Sequence, residues 1–239
     1  MSATHDPSPA TAHHLPVDLA GRHVVVTGGT GALGTAVVRA FTAAGATCHV
    51  PCLEGHAPRD PVVGAVYTLD VDLASEAAVA AFYDRVPALW ASLHLAGGFA
   101  WSRLEDTTLE LVRQQRSINA DTCFLCCREA ARVLRAGGVG GRIVNVASRA
   151  VAHPAAGMAA YAMSKAAVVA LTATLAEELR GDGILVNAIV PSIIDTPANR
   201  AAMPDADRRA WSTPAAIAAV LGVLASPSLT TTSGALVPV

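Results

Sequence analysis

A short apolar run, Arg22-His-Val-Val-Val-Thr27, leads straight into Gly28-Gly29-Thr30-Gly31-Ala32-Leu33-Gly34. The run is too short for a helix and has the unbroken apolar character of a strand buried on both faces. Helix-forming residues follow as far as Ala44, and Gly45 stops them. Glycines at such a strand-to-helix turn allow a tight bend. They also let a pyrophosphate approach the free amides at the positive end of the helix. Gly28, Thr30, Gly31, Leu33 and Gly34 are therefore candidate contacts for a dinucleotide.

The rest of the chain keeps the same rhythm. Strands are predicted at 46–52, 65–69, 90–95, 142–147, 184–190 and 235–239. Helices are predicted at 75–86 (with Ser75 as its cap), 104–117, 120–136, 158–180 and from Pro214 onward. Residues 195–213 carry few large apolar side chains and read as an irregular lid. Strands alternating with helices predict an α/β fold: a doubly wound, mostly parallel sheet of Rossmann type with helices on both faces. One domain over 19–239 is expected, preceded by a flexible tail at 1–18. Ligands of such sheets lie at the carboxyl ends of the strands, where strand order reverses. The glycine turn, Ala96-Gly97, Ser148 and Pro191 each follow a predicted strand and so fall on that edge.

Bulk properties exclude several classes. With 239 residues, 52% hydrophobic and 15% charged, the chain can bury a sizeable core. A net charge of −2 gives no footprint for nucleic acid or an anionic membrane. No uninterrupted apolar run is expected to span a bilayer, and the N-terminus lacks the basic and apolar regions of a secretory signal. Five cysteines in no paired framework point to a reducing, cytoplasmic location. Cys123, Cys126 and Cys127 share one helix face and read as small core side chains, so no metal is expected.

Tyr161-Ala-Met-Ser-Lys165 places a phenol and an ammonium one helical turn apart. A phenol in water has a pKa near ~10, too high for ready proton exchange at neutral pH. A neighbouring positive charge favours the phenolate and brings it toward the working range. The hydroxyl of Ser148, thirteen residues upstream, could hold a substrate oxygen beside it.

Together the T-G-x-x-x-x-x-G turn, Ser148, YAMSK and Pro191-Ser-Ile-Ile-Asp-Thr-Pro resemble the short-chain dehydrogenase/reductase family over residues 20–239, in order and spacing. The resemblance implies an NAD(P)-dependent oxidoreductase acting on a CH–OH or C=O group. It makes Tyr161 the acid/base, lets Lys165 lower its pKa and bond the nicotinamide ribose, and has Ser148 orient the substrate. Asn119 matches the fourth catalytic position, which implies a proton relay through water and Lys165. Asp72 and Leu73 match the adenine pocket, and Ala96-Gly97 passes beside the cofactor ribose. Pro191, Ile194 and Thr196 match the segment that holds the nicotinamide carboxamide. Long helices rich in small residues, such as 120–136 and 158–180, pair between subunits in relatives, so a homodimer or homotetramer is expected.

The chain also departs from the family pattern. Ala32 stands where most single-domain members have glycine, and His94-Leu95-Ala96-Gly97 replaces Asn-Asn-Ala-Gly. His94 is read as a packed strand residue. Cys52 holds the position that selects the cofactor. Lacking a carboxylate there, the chain leans to NADP over NAD. Ala96-Gly97-Gly98-Phe99 and the stretch from Asp195 to Asp207 resemble the dihydropteridine-reductase branch, although that branch lacks the active-site serine found here. The expected substrate is a small apolar ketone, secondary alcohol or 3-oxoacyl chain, in a pocket built from 149–158, 99–103 and the lid with Trp211. A dihydropteridine-reductase-like enzyme and a non-catalytic dinucleotide-binding sensor are the alternatives.

Overall fold

Side chains alternate along a strand, so the central strand β1 (His23–Thr27) sends Val24 and Val26 into one core and Val25 into another. The structure, a computed structural model, describes residues 17–239, and the expected tail lies outside them except for its last two residues. Six more strands flank β1: β2 (Thr47–Pro51), β3 (Val66–Thr68), β4 (Leu89–His94), β5 (Gly141–Val146), β6 (Ile184–Val190) and β7 (Leu236–Pro238). The order is β3-β2-β1-β4-β5-β6-β7 and every pairing is parallel. Strand order reverses between β1 and β4, which opens the crevice there.

Helices cover both faces, as expected. On one side α1 (Ala32–Ala43) packs with α7 (Pro214–Ala225) over Val24, Val26, Leu93 and Ile189. On the other, α2 (Glu76–Tyr83), α4 (Thr122–Gly137) and α5 (Ala159–Glu178) cover Val25, Ile143, Ile184 and Val186. Ser75 caps α2 as predicted, accepting from the Ala78 amide at 3.4 Å. Helix α5 is long and apolar enough to cross a bilayer, contrary to expectation. It packs on β6 and buries Ala160, Val168 and Ala176 together with Ser164, Lys165 and Thr172, while only 33% of its most apolar window is buried in this domain.

Two segments differ from the reading of the sequence. The helix expected at 104–117 is a single 3₁₀ turn at Leu104–Asp106 followed by α3 (Leu109–Arg116). Thr108 starts α3 afresh by accepting from the Leu111 amide at 3.1 Å. A π-helical turn, Ser117–Asp121, then joins α3 to α4 without a break. Within the expected lid, Thr196 caps a short helix α6 (Pro197–Ala202), and the segment is closed by a bridge between Ile194 and Ser212. The segment is small and polar, which hid it from hydrophobic periodicity.

Candidate active site

A cleft of about 630 Å³ opens at the crevice, floored by the glycine turn and walled by Asp72, Leu73, Ala96, Gly97 and Thr196. Two glycines make the floor possible. Gly28 has φ +66°, and a Cβ there would lie 2.8 Å from the Ala96 amide nitrogen. A Cβ on Gly34 would meet the Gly28 carbonyl oxygen at 2.0 Å, so α1 can start this close to β1 only without a side chain. Thr30, Gly31 and Leu33, candidate dinucleotide contacts in the sequence, line the same floor.

Cys52 is not where it was expected. Strand β2 ends one residue earlier, at Pro51, and the Cys52 thiol turns back to the Val50 carbonyl at 3.7 Å. Buried there, its pKa is pushed up, and it does not line the cleft. Its neighbours Pro51, Leu53 and Glu54 do. Arg59 is exposed and away from the lining, so among the described residues the charged groups that line the cleft are Glu54 and Asp72, with no lysine or arginine.

The π turn and α5 bring Asn119 and Lys165 together at Gly97. A Cβ on Gly97 would sit 2.6 Å from Asn119 Oδ1 and 3.3 Å from Lys165 Nζ. Asn119 is fully engaged: its Nδ2 donates to the Gly98 and Gln115 carbonyls at 2.9 and 3.1 Å, and its Oδ1 accepts from the Gly98 amide at 3.1 Å. The π turn therefore presents Asn119 as a clamp on the loop after β4. Lys165, buried, donates to the Val146 carbonyl at 2.9 Å. Burial lowers its pKa to about 8, against a smaller opposing pull from Cys123. Ser148 accepts from the Ala150 amide at 3.1 Å. Tyr161 is held by Phe99, edge to face, with ring centroids 5.0 Å apart.

Burial raises the Tyr161 pKa, and a hydrogen bond with Ser148 opposes the rise. Lys165 itself should betray its burial in the cofactor-free protein. Its proton is held less tightly in the folded than in the unfolded state, so its contribution to stability is greatest above the unfolded value and is lost as pH falls through about 8. Relative to Lys165→Met, in which other titrations cancel, the wild type should gain about 2 kcal/mol between pH ~7 and ~9.5. Denaturant unfolding of both proteins across that range checks this, and a pH-independent difference would contradict it.

Ser148 and Tyr161 also line a second cavity of about 470 Å³, shared with Phe99, Met158, Ile194 and Met203. Pro191 and Ile194 belong to this cavity and Thr196 to the cleft, so the segment after β6 spans both. Of the aromatic residues expected in the pocket, Phe99 lines it. Trp101 instead lies on Gly157 and donates to the Ala156 carbonyl at 2.9 Å, and Trp211, itself part of the lid, is buried and not in the cavity lining.

Sequence reasoning missed a buried polar cluster behind this site. His94 Nδ1 lies 2.8 Å from Asn145 Oδ1, Cys127 Sγ lies 3.4 Å from His94 Nδ1, and Cys123 Sγ lies 3.3 Å from Asn145 Oδ1. The Cys127 hydrogen bond and His94 draw the Cys123 thiol down, while burial and Cys123 push Cys127 up. The available signal was a histidine and an asparagine at paired positions of two neighbouring, mostly apolar strands.

Comparison with known proteins accords with this geometry. The short chain dehydrogenase family matches residues 22–207. The 2-dehydro-3-deoxy-L-rhamnonate dehydrogenase (NAD(+)) of a Sphingomonas species is 31% identical over 189 residues, 74% of each chain. The chloroplastic NADPH-dependent aldehyde reductase-like protein of Arabidopsis thaliana is 29% identical over 204 residues, 76% of this chain and 75% of its own. A solved structure described as a short chain dehydrogenase/reductase family protein superposes with a TM-score of 0.83 at 27% identity, covering 93% of this chain and 97% of that one. The arrangement of glycine turn, serine, tyrosine and lysine at the crevice of a seven-stranded parallel sheet thus has its explanation: the chain belongs to the short chain dehydrogenases, oxidoreductases of CH–OH and C=O groups.

Proposed function

We propose that this protein interconverts a small apolar secondary alcohol and its ketone, using NAD(H) as hydride carrier. The observation that carries this reading is the largely apolar 470 Å³ cavity in which Ser148 and Tyr161 are set beside Phe99, Met158, Ile194 and Met203, with Arg149, His153 and Asn199 also in its lining. A nicotinamide bound in the adjoining cleft supplies or accepts the hydride at the substrate carbon. Tyr161 delivers the proton to the substrate oxygen in reduction and takes it back in oxidation. Ser148 holds that oxygen, and Phe99 fixes the phenol ring. Lys165, beside Gly97, supplies the positive charge next to the cofactor wall. Asn119 acts as a positioning residue, clamping the Gly97-Gly98 turn on which that wall depends. The lid, through Asn199 and Met203, roofs the cavity and excludes water from the reacting atoms.

The choice of NAD over NADP follows from sign. The 2′-phosphate of NADP would enter a cleft whose charged lining is Glu54 and Asp72, with no cation to receive it. NADH should bind at least ~10-fold more tightly than NADPH, a difference of about 1.4 kcal/mol. Glu54→Arg should erase that gap. Fluorescence titration of both cofactors, followed by turnover assays with cyclic and linear secondary alcohols, tests the reading. Tighter binding of NADPH would overturn the cofactor assignment. Binding without turnover of any alcohol or ketone would overturn the chemistry.

A further inference from the structure

Behind the cleft, on the α4 face of the sheet, four donor atoms from three elements converge. His94 comes from the end of β4, Asn145 from β5, and Cys123 and Cys127 from successive turns of α4. The histidine and two cysteine ligand atoms all lie within 4.8 Å of one another. Asn145 Oδ1 is 2.8 Å from His94 Nδ1, 3.3 Å from Cys123 Sγ and 3.4 Å from Cys127 Sγ. A tetrahedral shell with bonds of about 2.0–2.3 Å has edges of about 3.3–3.8 Å, so the His94–Asn145 pair must spread by about half an ångström and any pair near the 4.8 Å limit must draw in.

The surroundings are those of a built site. His94 Nε2 faces Ser92 Oγ at 2.9 Å and Tyr83 Oη at 3.3 Å, which orients the ring from its far side. Asn145 Nδ2 donates to Thr172 Oγ1 at 2.9 Å, which aims Oδ1 at the thiols. All four residues are buried. A divalent cation with two thiolates has no net charge, so the filled site escapes the cost of an isolated buried ion.

We propose that His94, Cys123, Cys127 and Asn145 form a site for one thiophilic, tetrahedral cation of the Zn²⁺ class. The two thiols lose their protons to solvent on binding. The imidazole changes tautomer, freeing Nδ1 for the metal and donating from Nε2 to Ser92. The filled site ties α4 to β4 and β5 one helical turn beyond Asn119 and so stiffens the wall behind the cleft. The ion enters during folding or by local opening next to the π turn.

The full-length protein, produced in cobalt-supplemented minimal medium and separately with zinc, tests this. We expect about one metal ion per chain and intense thiolate-to-cobalt absorption alongside tetrahedral visible bands. Cys123→Ala and Cys127→Ala should lose both, whereas Cys126→Ala, a thiol of the same helix outside the cluster, should keep them. Cobalt held by His13-His14, which lie outside the described residues, would show no sulfur band. Should either cysteine variant fail to fold, as judged by circular dichroism, His94→Asn must still shift the visible bands. Absence of the thiolate band in the wild type overturns the proposal, as does a band that survives both Cys123→Ala and Cys127→Ala, or visible bands that His94→Asn leaves unmoved.

Discussion

Tyr161→Phe is expected to lower turnover by about 10²- to 10⁴-fold, the scale of losing a general acid–base group. NADH affinity should stay within about twofold, since 1.4 kcal/mol corresponds to a factor of ten and the mutation removes no cleft contact. The separation of the two effects follows from where the residue sits. Phenylalanine keeps the ring and its edge-to-face contact with Phe99, so the cavity retains its shape. Only the hydroxyl is lost, and that hydroxyl faces the 470 Å³ cavity, not the cofactor cleft. Steady-state rates and a fluorescence titration on the same preparation give both quantities. Retained activity would show that the proton travels by another route.

Gly34→Val should be as damaging for a steric reason. Its Cβ would fall 2.0 Å from the Gly28 carbonyl oxygen and 2.6 Å from the Gly29 Cα, both backbone atoms that no rotamer change can move aside. Either α1 withdraws from β1 or the turn opens, and both destroy the surface offered to a pyrophosphate. We expect a loss of about 3 kcal/mol or more in stability, typical of severe overpacking. Cofactor affinity should fall at least ~100-fold, about 2.7 kcal/mol. Gly137→Ala is the matched control. It lies in α4, its added methyl meets nothing within 4 Å, and it should stabilise the protein by roughly 0.5–1 kcal/mol. Urea unfolding and NADH titration of the pair distinguish a steric origin from a general intolerance of glycine replacement. Near-normal binding by the valine variant would refute the close-approach argument.

How far the sequence could be read depended on whether the physics was local. Strand β1, the glycine turn and the 20-residue helix α5 announce themselves through runs, caps and spacing, and each was placed within a few residues. Tyr161, Lys165 and Ser148 were legible because one helix and one strand end hold them. Cys52 was misplaced because its role hung on a single residue at a strand end, and β2 stops at Pro51. The saturation of Asn119 was invisible, since its partners Gly98 and Gln115 come from a loop and from the preceding helix. The polar cluster was hidden for the same reason on a larger scale. His94 and Asn145 are 51 residues apart and meet only because β4 and β5 pair in register.

The π turn at Ser117–Asp121 separates two helical halves that face different tasks. A uniform α-helix from Leu109 to Gly137 would be a single rod with one phase: rotating it to bring Asn119 onto Gly98 would swing every later side chain by the same angle. One extra residue in the turn offsets the downstream half by about 100°, the angular step of a residue in a helix of 3.6 per turn. The half that serves the cleft and the half that packs Cys126, Cys127, Ala130 and Leu134 into the core can therefore be set independently. It works like a vernier between two scales, and it leaves each half free to vary without forcing the other out of alignment.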